Sequence, residues 1–374
     1  MVTRPRYYLV TCAGAPNYGD ELITATWLRY LARHAPDADV VVDCVRPEYA
    51  RAAMSVLHPR VTFTETLWML CLAEADKEVP EAIAAVQAKV RAANRSAAVD
   101  VLAGSDVVHL VGGGLLNGLY PWATGLVAGV VAAAAESGGR SGVTGQGLCP
   151  QRPETLAPLR ELMATLTVAD VRDEPSARLL ALDGVQATAD DVFLEPAATH
   201  RADPDAPEVM VCAQSDIVPA FNGSTEAPKI VEFLLATMRL WRVPADRIGF
   251  VECFPGLDNQ VHDLLKEHMP DVRFHPVAEI LRDGLPLRPG QTWVSTRFHP
   301  HLVAAMAGVG GVAVSVRPDY YDVKHQSLID QGSGWRLGTL HEIPQRPPAG
   351  GFARQTLERL RHKKMSVAET LYEL

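Results

Sequence analysis

A chain of 374 residues with 48% hydrophobic content can bury two cores, so two domains are expected. Its longest apolar run, Ala123 to Ala135, is too short to span a bilayer, and a net charge of −9 without a Lys/Arg-dense run excludes nucleic acid as the main partner. The six scattered cysteines include no C-x-x-C pair and no Cys/His spacing suited to zinc, so they read as reduced, buried small hydrophobes and no metal is expected.

The opening MVTRPRYYLV enters a strand without the apolar core and cleavage site of a signal peptide, so a cytoplasmic location is expected. Tyr7 to Ala13 is the first strand, and after it Asn17-Tyr18-Gly19-Asp20-Glu21 leads into a helix from about Leu22 to His34. Val40 to Val45 and Val61 to Thr64 are further strands around a helix at Arg46 to Leu57. Thr66 to Val101 reads as a long helical stretch interrupted near Pro80. Val107 to Val111 is a strand ending in Gly112-Gly113-Gly114, followed by a helix from Trp122 to Glu136 and a strand from Ser141 to Gln146. A helix from about Pro153 to Leu166 and a strand from Val168 to Val171 follow, then Arg172-Asp173 and a short helix to Leu182.

Glu195 to Glu208 has no hydrophobic period and reads as a linker. Beyond it, strands at Val209 to Gln214, Arg247 to Glu252 and Val272 to His275 alternate with helices at Ala227 to Trp241 and Asp258 to Glu267. Gln291 to Val316 then makes a strand-helix-strand unit, and a Pro-rich stretch precedes a helical tail. The alternation is that of doubly wound α/β sheets. The expected layout is a domain over 1–195, a linker over 196–208, a domain over 209–345 and a tail over 346–374 that can cross back to the first domain. Two Rossmann-like halves with such a tail make the GT-B architecture.

The chemistry concentrates at strand ends, where open α/β sheets bind ligands. Pro300 suits a first helical position, which puts His299 at the N-cap and Arg297 at the end of the preceding strand. A helix N-terminus flanked by Arg and His suits phosphate or carboxylate, and the imidazole can move a proton. The competing reading is a structural Arg paired to a carboxylate beside a satisfied histidine. Asn17, Asp20 and Glu21 can face a sugar, or simply start a helix with Asp20 as N-cap. Gly112, Gly113, Gly114 and Gln146 allow close approach of a ligand or merely a tight turn. Arg172-Asp173 is an ion pair or a cation site, Asp190-Asp191 a solvated turn, and Lys324 an anion partner or a surface lysine. His299 and His301 lack a visible third metal ligand.

In order along the chain stand Asn17-x-Gly19-Asp20-Glu21, Gly112-Gly113-Gly114, Gly145-Gln146-Gly147 with Pro150, Arg172-Asp173 with Ser176, Asp191-Val192-Phe193, Arg297-x-His299 and Tyr321-x-x-Lys324. This order resembles the polysaccharide pyruvyl transferase family over nearly the whole chain. No one motif is specific; the joint order carries the resemblance. Departures are Gly310-Gly311 where the family usually has a proline, Cys149 in place of a small residue, and Val192 where proline is common.

The resemblance implies a GT-B-like fold, phosphoenolpyruvate as co-substrate with no required cofactor, and a pyruvate ketal on a sugar of a glycan or glycolipid precursor. A peripheral membrane contact is compatible with it. Arg297, Lys324 and Arg172 would bind the donor, and His299, with Asp20 or Glu21, would carry protons. Asn17, Gly112, Gly113, Gly114 and Gln146 would bind the acceptor. A GT-B glycosyltransferase using a nucleotide sugar, or a diverged relative in a small-molecule pathway, is the alternative.

Overall fold

Apolar strands alternating with helices assemble two separate parallel sheets, as strands buried along their length do. The computed structural model describes residues 4–215 and 227–374; Met1 to Thr3 of the opening segment lie outside them. The chain groups into two units. One holds the residues through Ala15 together with Asp20–Glu195 and Leu360–Leu374, and the other holds Pro16–Gly19 and Pro196–Arg359.

The first unit is built on β1 (Arg6–Val10), β2 (Asp39–Asp43), β3 (Val61–Thr64), β4 (Val107–Leu110), β5 (Arg140–Gln146), β6 (Val168–Val171) and β7 (Gln186–Ala187). Their spatial order is β3-β2-β1-β4-β5-β6-β7, all parallel, with Tyr8 in register with both Val41 and Val108. Strand order reverses at β1 and β4, so the loops after Val10 and Leu110 flank the switch point where such sheets bind ligands. The expected long helical stretch is three helices, Thr66–Leu72, Val79–Arg91 and Ala97–Ala103. Pro80 lies in the first turn of the second, where its missing N–H costs no bond, and Ser96 caps the third by accepting the Val99 amide. The run around Ala123 to Ala135 is the helix Thr124–Ser137, buried on nearly every side. Among the described residues no helix is long and apolar enough to cross a membrane.

The second unit contains β8 (His200–Ala202), β9 (Val209–Cys212), β10 (Ile248–Val251), β11 (Arg273–His275), β12 (Leu285–Leu287), β13 (Thr292–Ser295), β14 (Gly310–Ser315) and β15 (Arg336–Thr339). Its main sheet runs β11-β10-β9-β13-β14-β15, with its switch point at β9 and β13. Phe233, Trp241, Phe250 and Val294 belong to the core on this sheet. The expected linker is not one throughout, because β8 pairs with β12 in a two-stranded parallel sheet. Three residues held by backbone bonds leave no hydrophobic period to read. β15 and the helices Val277–Asp283 and Val323–Asp330 were likewise not expected. Gly311, one of the family departures, lies against Trp335, whose ring atoms would stand 2.8 Å from any Cβ placed there. The terminal helix Arg354–Tyr372 returns its residues from Leu360 onward to the first unit, as expected of a tail that crosses back.

Candidate active site

At the end of β13 the chain turns on the Ser295 hydroxyl, which accepts the Arg297 amide at 3.1 Å and donates to the Arg297 carbonyl at 2.8 Å. The next helix is Phe298–Met306, with Arg297 extended at its N-cap (φ −102°, ψ 143°). His299 is therefore the second helical residue and not the N-cap. Pro300 tolerates this because the first turn's amides have no intrahelical acceptor to lose.

The Arg297 fork is set by Asp258. Nε lies 2.9 Å from each carboxylate oxygen and Nη2 also bonds Oδ1, while the fully buried Asp258 accepts the amides of Cys253 and Phe254 at 2.8 and 3.0 Å. Asp258 opens the helix Asp258–His268, so the grip comes from a second strand-helix junction of the same sheet. The ion pair of the competing structural reading is therefore present: the guanidinium is paired to a carboxylate, and the pairing fixes its direction.

The Cys253 peptide reaches further. Its carbonyl accepts the Tyr18 amide at 2.8 Å, and Tyr18 Oη bonds the Thr199 carbonyl at 3.4 Å. Gly19, whose amide donates to Asn17 Oδ1 at 3.3 Å, lies against the His299 ring so closely that a Cβ there would collide with it. Asn17 precedes the helix Tyr18–His34 and fills the capping role expected of Asp20, which lies in the first turn beside Glu21.

Lys324 is buried in the helix Val323–Asp330, its ammonium 3.4 Å from the Tyr320 ring centroid and 5.6 Å from that of Tyr321. It is not a surface lysine. His325 Nε2, 3.3 Å from the Thr296 carbonyl, ties this helix to the residue before Arg297. His301 faces inward, stacked on Trp335 and bonded to His325 and Ser333, and burial holds its pKa well below the ordinary value. Cys212, Cys253 and Asp258 bring potential ligand atoms within 4.8 Å of one another, but the carboxylate is taken by Arg297 and burial raises the Cys212 thiol pKa.

In the first unit, Asp20, Gly113 and Gln146 come together: a Cβ on Gly113 would lie 3.8 Å from Asp20 Oδ1 and 3.9 Å from Gln146 Nε2. Gln146 is fully buried and donates to the Val111 carbonyl at 2.5 Å. Glu21 accepts the Gly14 amide at 2.8 Å, and burial raises its pKa to about 8, with Asp20 adding to the rise. Arg172 is 2% exposed, beside Asp173 and Asp190 and against Gly147, so the expected donor cation is enclosed as an ion-paired brace.

Asp191 is no solvated turn. Fully buried, it accepts Trp27 Nε1 at 2.7 Å, the Gly112 amide at 2.8 Å, Thr144 Oγ1 at 2.6 Å and Lys364 Nζ at 2.8 Å. Lys364, equally buried, also pairs with Asp170. Glycine at 112 and at 145 makes room for this carboxylate, since a Cβ at either would strike Asp191. His109 stands 2.8 Å from both Thr144 Oγ1 and Tyr372 Oη, and burial lowers its pKa to about 3. Because Thr144 donates to Asp191, the neutral ring donates from Nε2 and accepts at Nδ1.

A family model described as polysaccharide pyruvyl transferase matches residues 17–242. The chain belongs to the polysaccharide pyruvyl transferase family. The match takes in the Asn17 to Glu21 segment, the glycine turns and Asp191, and stops before Arg297, His299 and Lys324. No curated protein matches.

Among solved structures, UDP-GlcNAc 2-epimerase from Neisseria meningitidis bound to UDP-GlcNAc is similar at 13% identity and TM-score 0.53, covering 100% of both chains. HepE of Anabaena in complex with UDP-glucose is similar at 11% identity and TM-score 0.51, covering 99% of this chain and 100% of that one. The epimerase of Methanocaldococcus jannaschii in complex with UDP-GlcNAc and UDP gives 10% identity and TM-score 0.51, with 97% and 100% covered. These likenesses show the GT-B fold. Within this pyruvyl transferase family member, Asp258 and Lys364 were missed by sequence reasoning. Lys364 carried a signal, because Leu360, Lys364, Val367, Ala368 and Leu371 share one buried helix face.

Proposed function

We propose that the protein transfers the pyruvyl group of phosphoenolpyruvate to a sugar, closing a ketal on two hydroxyls and releasing inorganic phosphate. The observation that carries this reading is the fixed Arg297 fork at the end of β13, with His299 in the first turn of the next helix. Phosphoenolpyruvate carries a carboxylate and a phosphate, and a guanidinium and helix-end amides match either. Lys324, tied to the same strand end through His325, adds a cation.

In the reaction C3 of the donor takes a proton, making C2 electrophilic, and the first sugar hydroxyl adds there. The C2–O bond to phosphate breaks, and the second hydroxyl closes the ring. Of the two hydroxyl protons one balances that gained at C3 and the other leaves with phosphate. His299 is the proposed proton carrier, worth about 10²–10⁴ in rate for a general acid-base group. Asp20 or Glu21 is the proposed base or hydroxyl-orienting group. Asn17, Gly113 and Gly114 keep the proposed acceptor role, whereas Gly112 is packed on Asp191 and Gln146 is buried on the Val111 carbonyl.

Incubating the protein with phosphoenolpyruvate and candidate glycans tests this by mass spectrometry. The expected result is a pyruvyl adduct with one equivalent of phosphate released. Glycosyl transfer from a nucleotide sugar, with no pyruvyl adduct from any acceptor, would replace this reading by a glycosyltransferase.

A further inference from the structure

We infer that Asp258 is a positioning residue that aims Arg297 and cancels its charge, so that the joint grips an anion by direction and still lets phosphate leave. The inference rests on the pyruvyl-transfer reading for its effect on turnover. The geometry beneath it is independent of that reading.

Asp258 is fully buried and receives both backbone and guanidinium donors: the amides of Cys253 and Phe254, and Nε and Nη2 of Arg297. A bidentate carboxylate offsets most of the net charge of its guanidinium partner. A purely attractive anion trap would leave Arg297 uncompensated and would hold product phosphate as firmly as donor. Binding ground state and transition state equally gives no gain in turnover, whereas a fork held in one direction favours the geometry it was built for.

The same device reaches the imidazole. The peptide group joining Cys253 to Phe254 donates its Phe254 amide to Asp258 and accepts the Tyr18 amide at its Cys253 carbonyl, next to the Gly19 that packs on His299. Arg297 and His299 are thus indexed to one peptide group, with Asp258 as the side chain that reads its position.

The test uses inorganic phosphate as the binding probe and donor turnover as the second readout, on the full chain. Asp258→Asn keeps the volume and removes the charge. It is expected to bind phosphate at least about fivefold more tightly, with a steeper salt dependence, while turnover falls about a hundredfold as the fork loses its aim. Asp258→Glu keeps the charge and displaces the fork by one methylene, so phosphate affinity should stay within about twofold while turnover falls similarly.

If Asp258→Asn does not fold, Asp258→Glu alone decides the positioning claim, and its wild-type turnover would overturn it. Unchanged or weaker phosphate binding in a folded Asp258→Asn protein would overturn the charge-cancelling role, as would no phosphate binding to wild type and variant alike. If wild type forms no pyruvyl adduct, the reaction falls, and the phosphate affinities still decide what Asp258 does to Arg297.

Discussion

The ring of His299 lies against the backbone of Gly19, with His299 Cγ only 2.7 Å from where a Cβ on residue 19 would stand. Glycine here serves a side chain 280 positions away along the chain, and not a turn of its own. Gly19→Ala would gain about 0.5–1 kcal/mol of helix propensity, but overpacking costs about 1–3 kcal/mol unless the imidazole swings aside. Either way His299 loses its place. Turnover should fall about a hundredfold with donor affinity within a few-fold, read by single-turnover rates on folded protein. Normal turnover would show that this contact does not matter to the chemistry.

His299→Gln should keep most donor affinity, because in the proposed site Arg297, Lys324 and the helix end would hold the anion without it. Losing a general acid-base group lowers the rate by about a hundredfold or more. Melting temperature on the same preparation separates this from a structural histidine, whose replacement would lower stability and leave the rate near wild type.

Lys364→Met should be among the most destabilising single changes in the first unit. It leaves the carboxylates of Asp170 and Asp191 buried without their cation, a loss of about 3–5 kcal/mol by analogy with broken buried pairs. Urea unfolding reads this directly. A cost below about 1 kcal/mol would mean that the carboxylates find other compensation.

How far this was visible beforehand depends on sequence distance. The Arg297-His299 joint is local, an apolar strand followed by a proline-bearing helix, so its place at the end of β13 could be read from neighbours. Asp258 pairs with Arg297 across 39 positions, and nothing in its own surroundings marks it beyond a helix start. Gly112 invited a ligand-approach reading because a missing side chain shows only that something comes near; here that something is Asp191. Lys364 follows the exposed Lys363, yet its helix register places it with Leu360 and Ala368 on the buried face. Short pieces such as β8 and β15 carry too few residues for a period.

Glu21 gives a pH signature with a definite sign. Burial raises its folded pKa from 4.5 to about 8, so the folded state holds a proton that the unfolded chain releases earlier. Its contribution to stability is full below about pH 4.5, is lost as pH rises towards 8, and is flat beyond. Glu21→Gln should therefore gain stability relative to wild type across that interval and show no further change above it. A stability difference independent of pH would show that Glu21 titrates normally.

The most direct test of the central claim is an equilibrium titration of wild type and Arg297→Lys with phosphoenolpyruvate, set beside a panel of nucleotide sugars. Lysine keeps the charge and loses the planar fork that Asp258 aims. Saturable phosphoenolpyruvate binding by wild type, weakened about tenfold or more in Arg297→Lys with the fold intact, is the predicted result, a difference of about 1.4 kcal/mol. Binding of nucleotide sugars in preference to phosphoenolpyruvate, or phosphoenolpyruvate affinity unchanged in Arg297→Lys, would contradict it.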